Sequence, residues 1–400
     1  MVSSEYTEVV KGFKVKKAVF DRLYDYQVDG IKWLYKLFVQ EAGGILADDM
    51  GLGKTIQTIA LLSSLLYFDK IKSVLIVAPS TLLINWGKEF RSWAPDVKVF
   101  KFDGSVSSNV RLRALENVQR NGGVLLTTYD LCRNYADTFS QCDWRQFIWD
   151  YFILDEGHKI KNPTKTTKAI YNIPSRHRLV ITGTPVQNKL KELWALYDFA
   201  MKGTLLGTYR SFKMRYEDPI TKGLSKDAMM KDMIKANKIA ENLRQIYEPY
   251  FLRREKQEIF NSNRDLKLKL PIKIDWVVWI RLTQEQINVY RDFIALDSIK
   301  ELILRENKKS IFLHILTLKK ICDHLRLLSK NVCEQLLSKN DSLSENEMEK
   351  IIEEDQMVNI EVPDEILIAE SGKLAFCLDL LEELKEKNHR VLLFSQKNGK

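Results

Sequence analysis

A glycine-rich segment with a short apolar run before it and a helical pattern after it could bind phosphate. It reads Asp48-Asp49-Met50-Gly51-Leu52-Gly53-Lys54-Thr55. Glycines let successive backbone N–H groups face phosphate oxygens, and the positive end of the following helix adds to the attraction. Lys54 would reach the β- and γ-phosphates of ATP, and the Thr55 hydroxyl would bind Mg²⁺. We predict that residues 48–55 bind ATP. The strict phosphate-loop pattern has glycine at the position of Asp48, which is a departure. The competing interpretation is a glycine-rich turn that merely starts a helix.

Two adjacent carboxylates follow another apolar run. Asp155 and Glu156 come directly after Tyr151–Leu154. Such a pair suits phosphoryl transfer, because one carboxylate can hold Mg²⁺ while the other orients or deprotonates the attacking water. We assign Asp155 to the metal and Glu156 to the water, and predict that both are catalytic together with Lys54. By itself an Asp-Glu pair is more often a solvated helix start, so the assignment depends on the phosphate loop upstream.

Short apolar runs that alternate with helical spacings must position these residues. The runs are Ile45–Ala47, Val74–Ala78, Val124–Thr127, Tyr151–Leu154 and Leu179–Thr182. Near-continuous hydrophobicity is typical of strands covered on both faces, and strands alternating with helices indicate a doubly wound parallel sheet. Ligands bind such a sheet at the carboxyl ends of its strands. Trp86 and Trp93 share a helical spacing with Leu82 and Phe90, which favours core positions over base stacking for both tryptophans.

The pattern changes after residue 200. Two helical stripes dominate residues 201–340, one from Met233 to Tyr250 and one from Ile311 to Leu325. Residues 341–370 hold eleven acidic residues and one basic residue, and are predicted to be a connector. From Ser371 a helix and then a strand, His389–Ser395, are expected. One helix and one strand do not make a domain, so we expect the sequence to be a fragment, or a truncated gene product, that ends inside a second α/β domain.

Composition limits the classes of function. The chain has 400 residues, a formal charge of +9 and 45% apolar residues, typical of a folded protein with a basic surface. A basic body favours a polyanionic partner. Its five cysteines form no CxxC pair, which argues against a zinc finger or a disulfide framework. The first residues lack the apolar stretch of a signal peptide, and no run is long enough to span a bilayer, so no membrane partner is expected.

Read in order, these segments resemble the motifs of SNF2-family helicase-like ATPases. The matching segments are Leu23–Gly30, Asp49–Thr55, Ala78–Leu82 with Asn85-Trp86, Thr127–Asp130, Asp155–His158, Thr182–Asn188 and Leu252–Lys256. Within the family the sequence is most similar to the Cockayne-syndrome-B-like branch, through Asp218–Thr221, Lys319–His324 and Ser371–Leu374. One departure is Leu325, where relatives usually have proline, so the preceding helix is expected to run further here.

The resemblance implies a RecA-like architecture. The first lobe is expected at 20–200 after an extension at 1–19, a mainly helical region at 201–340, the acidic connector at 341–370, and the beginning of a second RecA-like lobe at 371–400. It also implies residue roles: Gln27 reads adenine; His158, Thr182, Thr184 and Gln187 couple nucleotide state to lobe closure; and Pro79, Ser80, Thr127, Thr128, Arg253, Arg254 and Lys256 contact DNA. For the last three, the alternative is a brace between lobes or a solvated basic helix end.

The implied activity is ATP-driven, Mg²⁺-dependent translocation on double-stranded DNA, in repair or chromosome segregation and in the nucleus or on chromosomes. Chromatin or mitotic proteins are expected partners. The family's second lobe supplies an arginine finger, so the 400-residue chain alone is expected to hydrolyse ATP slowly. Two alternatives stay open: a nucleosome remodeller, and a catalytically silent fragment that binds DNA or nucleotide.

Overall fold

The fold is described from a computed structural model. The structure describes residues 5–160, 162, 164–183, 190–225, 228–262, 274–295, 308–328 and 363–395. The chain divides into two compact units, residues 1–270 and residues 271–400.

A seven-stranded parallel sheet forms the centre of the first unit. The strands of the unit are β1 (Tyr6–Val10), β2 (Phe13–Lys16), β3 (Gly44–Leu46), β4 (Ser73–Ala78), β5 (Val99–Phe102), β6 (Gly123–Thr128), β7 (Gln141–Cys142), β8 (Arg145–Gln146), β9 (Trp149–Asp155), β10 (Ser175–Ile181) and β11 (Phe251–Leu252). The sheet order is β11-β3-β10-β9-β4-β6-β5, while β1 with β2 and β7 with β8 form separate antiparallel hairpins. The predicted doubly wound parallel sheet is confirmed.

The central strands are apolar on both faces because helices cover both sides of the sheet. Successive residues point to opposite faces. Ile45 and Ala47 therefore pack into one apolar cluster, and Leu46 between them packs into the other. Fully burying one such side chain contributes roughly 1.5–3 kcal/mol, which makes this sheet a firm platform for the residues at its edge.

Helices connect the strands. Those of the first unit are α1 (Lys17–Phe20), α2 (Asp25–Val39), α3 (Lys54–Tyr67), α4 (Ser80–Trp93), α5 (Ser108–Asn121), α6 (Tyr129–Asn134), α7 (Ala136–Phe139), α8 (Lys165–Tyr171), α9 (Leu190–Ala200), α10 (Tyr209–Phe212), α11 (Asp218–Gly223), α12 (Met230–Tyr247) and α13 (Lys256–Ser262). Single turns of 3-10 helix lie at Gly157–Ile160 and Glu248–Tyr250, and a π-helix lies at Lys213–Glu217. The predicted stripe from Met233 onward belongs to α12, which buries Ala236 and Leu243 while Met233 and Ile246 are exposed.

The five predicted strands are confirmed to within two residues at each end, except that β10 begins at Ser175, four residues before the predicted start at Leu179. Two strands of the sheet were not predicted. The edge strand β5 carries a lysine among its apolar residues, and β11 has only two residues. β11 comes from beyond residue 200 and pairs with β3, so it lies beside the strand that leads into the phosphate loop.

In the second unit the described helices are α14 (Gln284–Ala295), α15 (Lys308–Asp323), α16 (Asp364–Ala369) and α17 (Gly372–Glu386). α15 ends at Asp323 and does not continue to Leu325, because His324 is extended and its ring accepts a hydrogen bond from the N–H of Arg326. Ser371 donates its hydroxyl to the Asp323 carbonyl at 2.7 Å and caps α17. The segments Lys319–His324 and Ser371–Leu374 therefore lie together.

The predicted strand at His389–Ser395 is absent from the structure, which has no strand there. A strand needs a neighbour to satisfy its backbone groups, and the described part of this unit offers none. Among the described residues, no helix is both long enough and apolar enough to cross a bilayer.

Candidate nucleotide and metal site

The phosphate loop lies between the carboxyl end of β3 and the start of α3. Gly51 and Gly53 have φ angles of +87° and +76°, a backbone conformation that glycine adopts without strain. A Cβ at Gly53 would lie 2.3 Å from Nε2 of Gln27, so a side chain there would also clash. These two turns fold the loop tightly at the start of α3, and a helix N-terminus after a glycine-rich loop is a position at which proteins bind phosphate oxygens.

The Lys54 ammonium donates to the backbone carbonyls of Asp48 and Asp49 at 2.8 and 3.2 Å. Burial lowers the pKa of Lys54 from 10.5, while nearby carboxylates, Asp48 and Glu156 foremost, oppose that shift. Thr55 follows in the first turn of α3. The lysine is therefore held inside the loop, near the predicted catalytic carboxylates.

Asp48 has a role that the sequence did not reveal. Its carboxylate is fully buried and receives Nε of Arg254 at 3.0 Å, and Nη2 of the same guanidinium bonds the other carboxylate oxygen. The Arg254 guanidinium also donates to the Gln57 side chain and to the Tyr26 carbonyl. The carboxylate at the position where the strict pattern has glycine thus forms a buried ion pair beneath the loop.

This placement corrects the prediction for Arg254. Its side chain is 17% exposed and its donors are engaged within the lobe, so it is neither a solvated helix end nor a group that faces DNA. Lys256 contacts the phosphate loop. Its N–H donates to Oδ2 of Asp49 at 3.1 Å, and its ammonium lies 3.4 Å from the position that a Cβ would take at Gly51. Arg253 is exposed, and a DNA contact stays a prediction for Arg253 and Lys256.

Gln27 lies under the loop. Its Oε1 accepts from the N–H of Tyr24 at 3.1 Å, and its Nε2 donates to the Leu52 carbonyl at 3.3 Å. The side chain therefore braces α2 against the loop and is only 4% exposed. Its predicted contact with adenine stays a prediction.

Asp155 and Glu156 lie at the carboxyl end of β9. Asp155 is 7% exposed; its Oδ2 accepts from Nε1 of Trp86 at 2.7 Å and its Oδ1 accepts from the N–H of Glu156 at 3.0 Å. Burial raises the pKa of Asp155, and the hydrogen bond from Trp86 opposes that shift. The Tyr129 hydroxyl donates to the backbone carbonyl of Asp155 at 2.7 Å. Both groups thus hold the residue predicted to bind the metal.

Glu156 has φ of +53°, in the left-handed region that side chains rarely adopt. The turn continues through Gly157, where a Cβ would lie 2.3 Å from Cγ1 of Val180. Nδ1 of His158 is 3.1 Å from Oε2 of Glu156, but the angles between them are not those of a hydrogen bond. A strained backbone here fixes the direction of the carboxylate predicted to orient water.

The residues predicted to couple nucleotide state to closure are only partly described. Thr182 follows β10, is fully buried, and donates its N–H to the Leu46 carbonyl at 3.1 Å. Next to it, a Cβ at Gly183 would lie 3.6 Å from Nζ of Lys54. Thr184 and Gln187 lie outside the described residues, and the coupling roles stay predictions.

The predicted DNA-side residues follow β4 and β6. Pro79 precedes α4 and Ser80 is exposed at its first turn. Thr128 is half-buried, and its hydroxyl caps α6 by accepting from the N–H of Leu131. Thr127 must be corrected: its side chain is fully buried and its hydroxyl has no partner. Neighbouring strand residues face opposite sides, so only one of the two threonines can face outward.

These residues fit a magnesium nucleotide. The loop and the first turn of α3 offer N–H groups to phosphates, and Lys54 offers a cation. The Thr55 hydroxyl and the Asp155 carboxylate are oxygen ligands of the kind that Mg²⁺ prefers. Together with Glu156, which could orient water, the arrangement is suited to phosphoryl transfer.

A separate cavity of about 460 Å³ lies at the opposite edge of the sheet, where β4 and β6 begin. Its lining includes Lys72, Trp93 and Gly123, and none of the predicted site residues. Parallel sheets bind ligands at the carboxyl ends of their strands. The geometry therefore favours the edge that carries the phosphate loop and Asp155 as the site.

Sequence reasoning missed two residues of this site, Trp86 and Tyr129, and it missed the ion pair that Asp48 forms. The helical stripe correctly placed Trp86 in the core, but a stripe does not show what an indole N–H bonds. Tyr129 stands next to the threonines of a motif that the resemblance assigned to DNA. The alternation of strand residues could have separated Thr127 from Thr128.

Comparisons with known proteins agree with these observations. Residues 26–327 match the family model of the SNF2-related domain. Two relatives are each called "DNA excision repair protein ERCC-6-like". The zebrafish protein is 43% identical over 96% of this chain and 28% of its own length, and the human protein is 41% identical over 98% of this chain and 33% of its own length. The chain thus spans about a third or less of those relatives.

A solved structure, the Sulfolobus solfataricus SWI2/SNF2 ATPase core in complex with dsDNA, matches with a TM-score of 0.51 and 27% identity. The match covers 95% of this chain and 67% of that one. The predicted RecA-like fold and the predicted similarity to excision-repair-protein-6-like members of the Cockayne-syndrome-B-like branch are confirmed.

Proposed function

This chain belongs to the SNF2-related family, and on that premise we propose that it carries the ATP-binding lobe of a motor that translocates on double-stranded DNA. The observation that carries the proposal is the convergence of a half-buried lysine and two carboxylates at one edge of the sheet. Lys54 lies near enough to Asp155 and Glu156 for both carboxylates to act on its pKa. A lysine in a phosphate loop next to such a pair is the arrangement that phosphoryl transfer needs.

In the proposed reaction each residue has one task. Lys54 would leave the carbonyls of Asp48 and Asp49 to bind the β- and γ-phosphates, and N–H groups of the loop would face the same phosphates. Thr55 and Asp155 would hold Mg²⁺, which would supply positive charge beside the phosphates. Glu156 orients the attacking water and accepts its proton.

Double-stranded DNA is the proposed track. Ser80 and Arg253 are exposed, and Thr128 is half-buried at the carboxyl end of β6. Such groups position a phosphate backbone without reading sequence, so binding should tolerate any sequence and weaken with salt. The similar Sulfolobus core was solved with dsDNA, which supports this partner.

We propose a nuclear or chromosomal location and a task in DNA repair or chromosome segregation, with chromatin or mitotic proteins as further partners. The support for repair is the name that the similar relatives bear, DNA excision repair protein ERCC-6-like. The predicted domain boundaries are retained as part of this proposal.

The test is ATP hydrolysis by the purified 400-residue chain, with and without double-stranded DNA, beside Glu156→Gln. We expect both proteins to bind ATP, and only the unaltered chain to show DNA-stimulated turnover. We propose that this turnover is slow, because related enzymes gain about 10³–10⁵ from an arginine finger that the family resemblance assigns to a second lobe. Turnover that persists in Glu156→Gln would contradict the assignment of this carboxylate.

Two outcomes would redirect the proposal. Binding of DNA and ATP with no turnover under any condition would favour a catalytically silent binding fragment. Turnover stimulated by nucleosomes and not by naked DNA would favour a nucleosome remodeller. Displacement of a third strand from naked duplex DNA would support translocation itself.

A further inference from the structure

Asp155 is held by two side chains from helices that follow other strands. The indole Nε1 of Trp86, on α4, donates to its Oδ2 at 2.7 Å. The hydroxyl of Tyr129, at the start of α6, donates to its backbone carbonyl at 2.7 Å. Trp86 and Tyr129 are 1% and 5% exposed, so neither has water as an alternative partner.

Both helices begin at the proposed DNA side. α4 begins at Ser80, and Trp86 is six residues further along, roughly 9 Å at 1.5 Å per residue. α6 begins at Tyr129, directly after Thr128. Each helix therefore has one end at a residue proposed to meet a DNA phosphate and a side chain that contacts Asp155.

The contact still allows a metal to bind. Each carboxylate oxygen can accept more than one partner, so Oδ2 can receive the indole N–H and still offer a lone pair. The N–H of Glu156 holds Oδ1 in the same way. Partners of this kind fix the orientation of metal ligands, and losing one typically costs about 10–100-fold in metal affinity or activity.

Building on the proposed function, we propose that Trp86 is a positioning residue for the metal-binding carboxylate of Asp155. We further infer that Trp86 and Tyr129 transmit contacts at the DNA-side ends of α4 and α6 to the metal site. DNA that shifts either helix would then change how Asp155 holds Mg²⁺. By reciprocity, Mg²⁺ with ATP would change the affinity for DNA by the same factor.

The test of positioning is Trp86→Phe, which keeps an aromatic ring and removes the N–H. Its matched control is Trp149→Phe: Trp149 is fully buried on the same strand as Asp155 and donates its Nε1 to the Phe139 carbonyl at 2.9 Å, away from the site. ATP binding by the full chain is titrated with Mg²⁺. We expect Trp86→Phe to raise the half-saturating Mg²⁺ concentration about 10-fold, with metal-free ATP affinity unchanged. Trp149→Phe should match the unaltered chain.

The inference about positioning is overturned if Trp86→Phe has the half-saturation of the unaltered chain, or if Trp149→Phe shifts it equally. The first result means that the indole does not orient the metal ligand. The second means that the shift reflects general packing. If the unaltered chain does not bind ATP with Mg²⁺ at all, the proposed function fails, which is a different result from either.

The test of transmission repeats the titration with a DNA duplex present. We expect the duplex to shift the half-saturating Mg²⁺ concentration of the unaltered chain, and both Trp86→Phe and Tyr129→Phe to reduce that shift. Tyr197→Phe is the control, since Tyr197 is fully buried and its hydroxyl donates to the Tyr247 carbonyl at 3.3 Å. A duplex effect that is absent in the unaltered chain, or unchanged in both variants, overturns transmission.

Discussion

Arg254 donates hydrogen bonds to the Asp48 carboxylate from both its side chain and its backbone. Nε of the guanidinium and the backbone N–H both donate to Oδ1 of Asp48, at 3.0 and 3.1 Å. The two residues are 206 positions apart in sequence. The pair fastens β11 and the residues after it to the base of the phosphate loop, so this segment supports the loop from beneath.

Removing one member of this pair should be costly. Arg254→Ala leaves the fully buried Asp48 carboxylate without its cation, and breaking a buried pair typically costs about 3–5 kcal/mol. Urea-induced unfolding measures the loss. Arg253→Ala is the control. Arg253 is the exposed residue next to Arg254, and its loss should change the free energy of unfolding by less than about 1 kcal/mol. Equal effects of the two substitutions would contradict the importance of the buried pair; Asp48→Asn combined with Arg254→Met should recover part of the loss.

Gly157→Ala should destabilise the turn that carries Glu156. The new Cβ would lie 2.3 Å from Cγ1 of Val180, in the core of the sheet. Overpacking of this kind typically costs about 1–3 kcal/mol. Gly104→Ala is the matched control, since a Cβ there has no neighbour within 4 Å. Thermal unfolding that is unchanged in Gly157→Ala would mean that the turn is not packed as described.

ATP affinity should fall as pH rises through the lowered pKa of Lys54. Burial lowers the pKa of Lys54 below 10.5 in the free protein, and a bound phosphate would raise it. The bound state therefore holds more protons than the free state, and the affinity decreases as pH rises through the lowered pKa. Binding titrations across alkaline pH measure this effect. Lys54→Arg should bind more weakly but keep its charge, so the same alkaline fall in that variant would assign the effect to another group.

Arg253→Ala should weaken DNA binding equally for all sequences. Its side chain is exposed, and its ion pairs with Asp49 and Glu255 are long, at 4.0 and 3.7 Å, so the guanidinium can still donate to a phosphate. Loss of one phosphate contact should reduce the slope of log affinity against log salt by about one. Arg145→Ala, on the exposed β8 strand before β9, is the control. A salt slope that is unchanged in Arg253→Ala would remove this residue from the DNA interface.

The sequence predicts the strands and the loop of this site better than the side-chain contacts between residues that are far apart in the chain. The five strands and the loop at residues 48–55 are local patterns, and a strand buried on both faces reveals itself through its own residues. The pairing of Asp48 with Arg254 depends on where β11 meets the sheet, and two apolar residues do not predict a strand. The indole of Trp86 fits a helical stripe whether or not its N–H has a partner. The resemblance assigns both Thr127 and Thr128 to DNA, but strand residues alternate between the two faces of the sheet, and Thr127 is fully buried.

The late position of β11 has a consequence for the order in which the molecule is made. During translation Asp48 leaves the ribosome long before Arg254 is added; at about 5–20 residues per second, the 206 residues between them take roughly 10–40 s. For that interval β3 is an open sheet edge on the side later taken by β11, and such edges pair readily with other chains. Nascent chains halted before residue 251 should therefore be cut by protease near Asp48 more readily than chains halted once residue 262 has left the ribosome. The nucleotide site would then be among the last parts of this unit to form. A nascent chain would bind ATP only after β11 has paired with β3 and covered the open sheet edge.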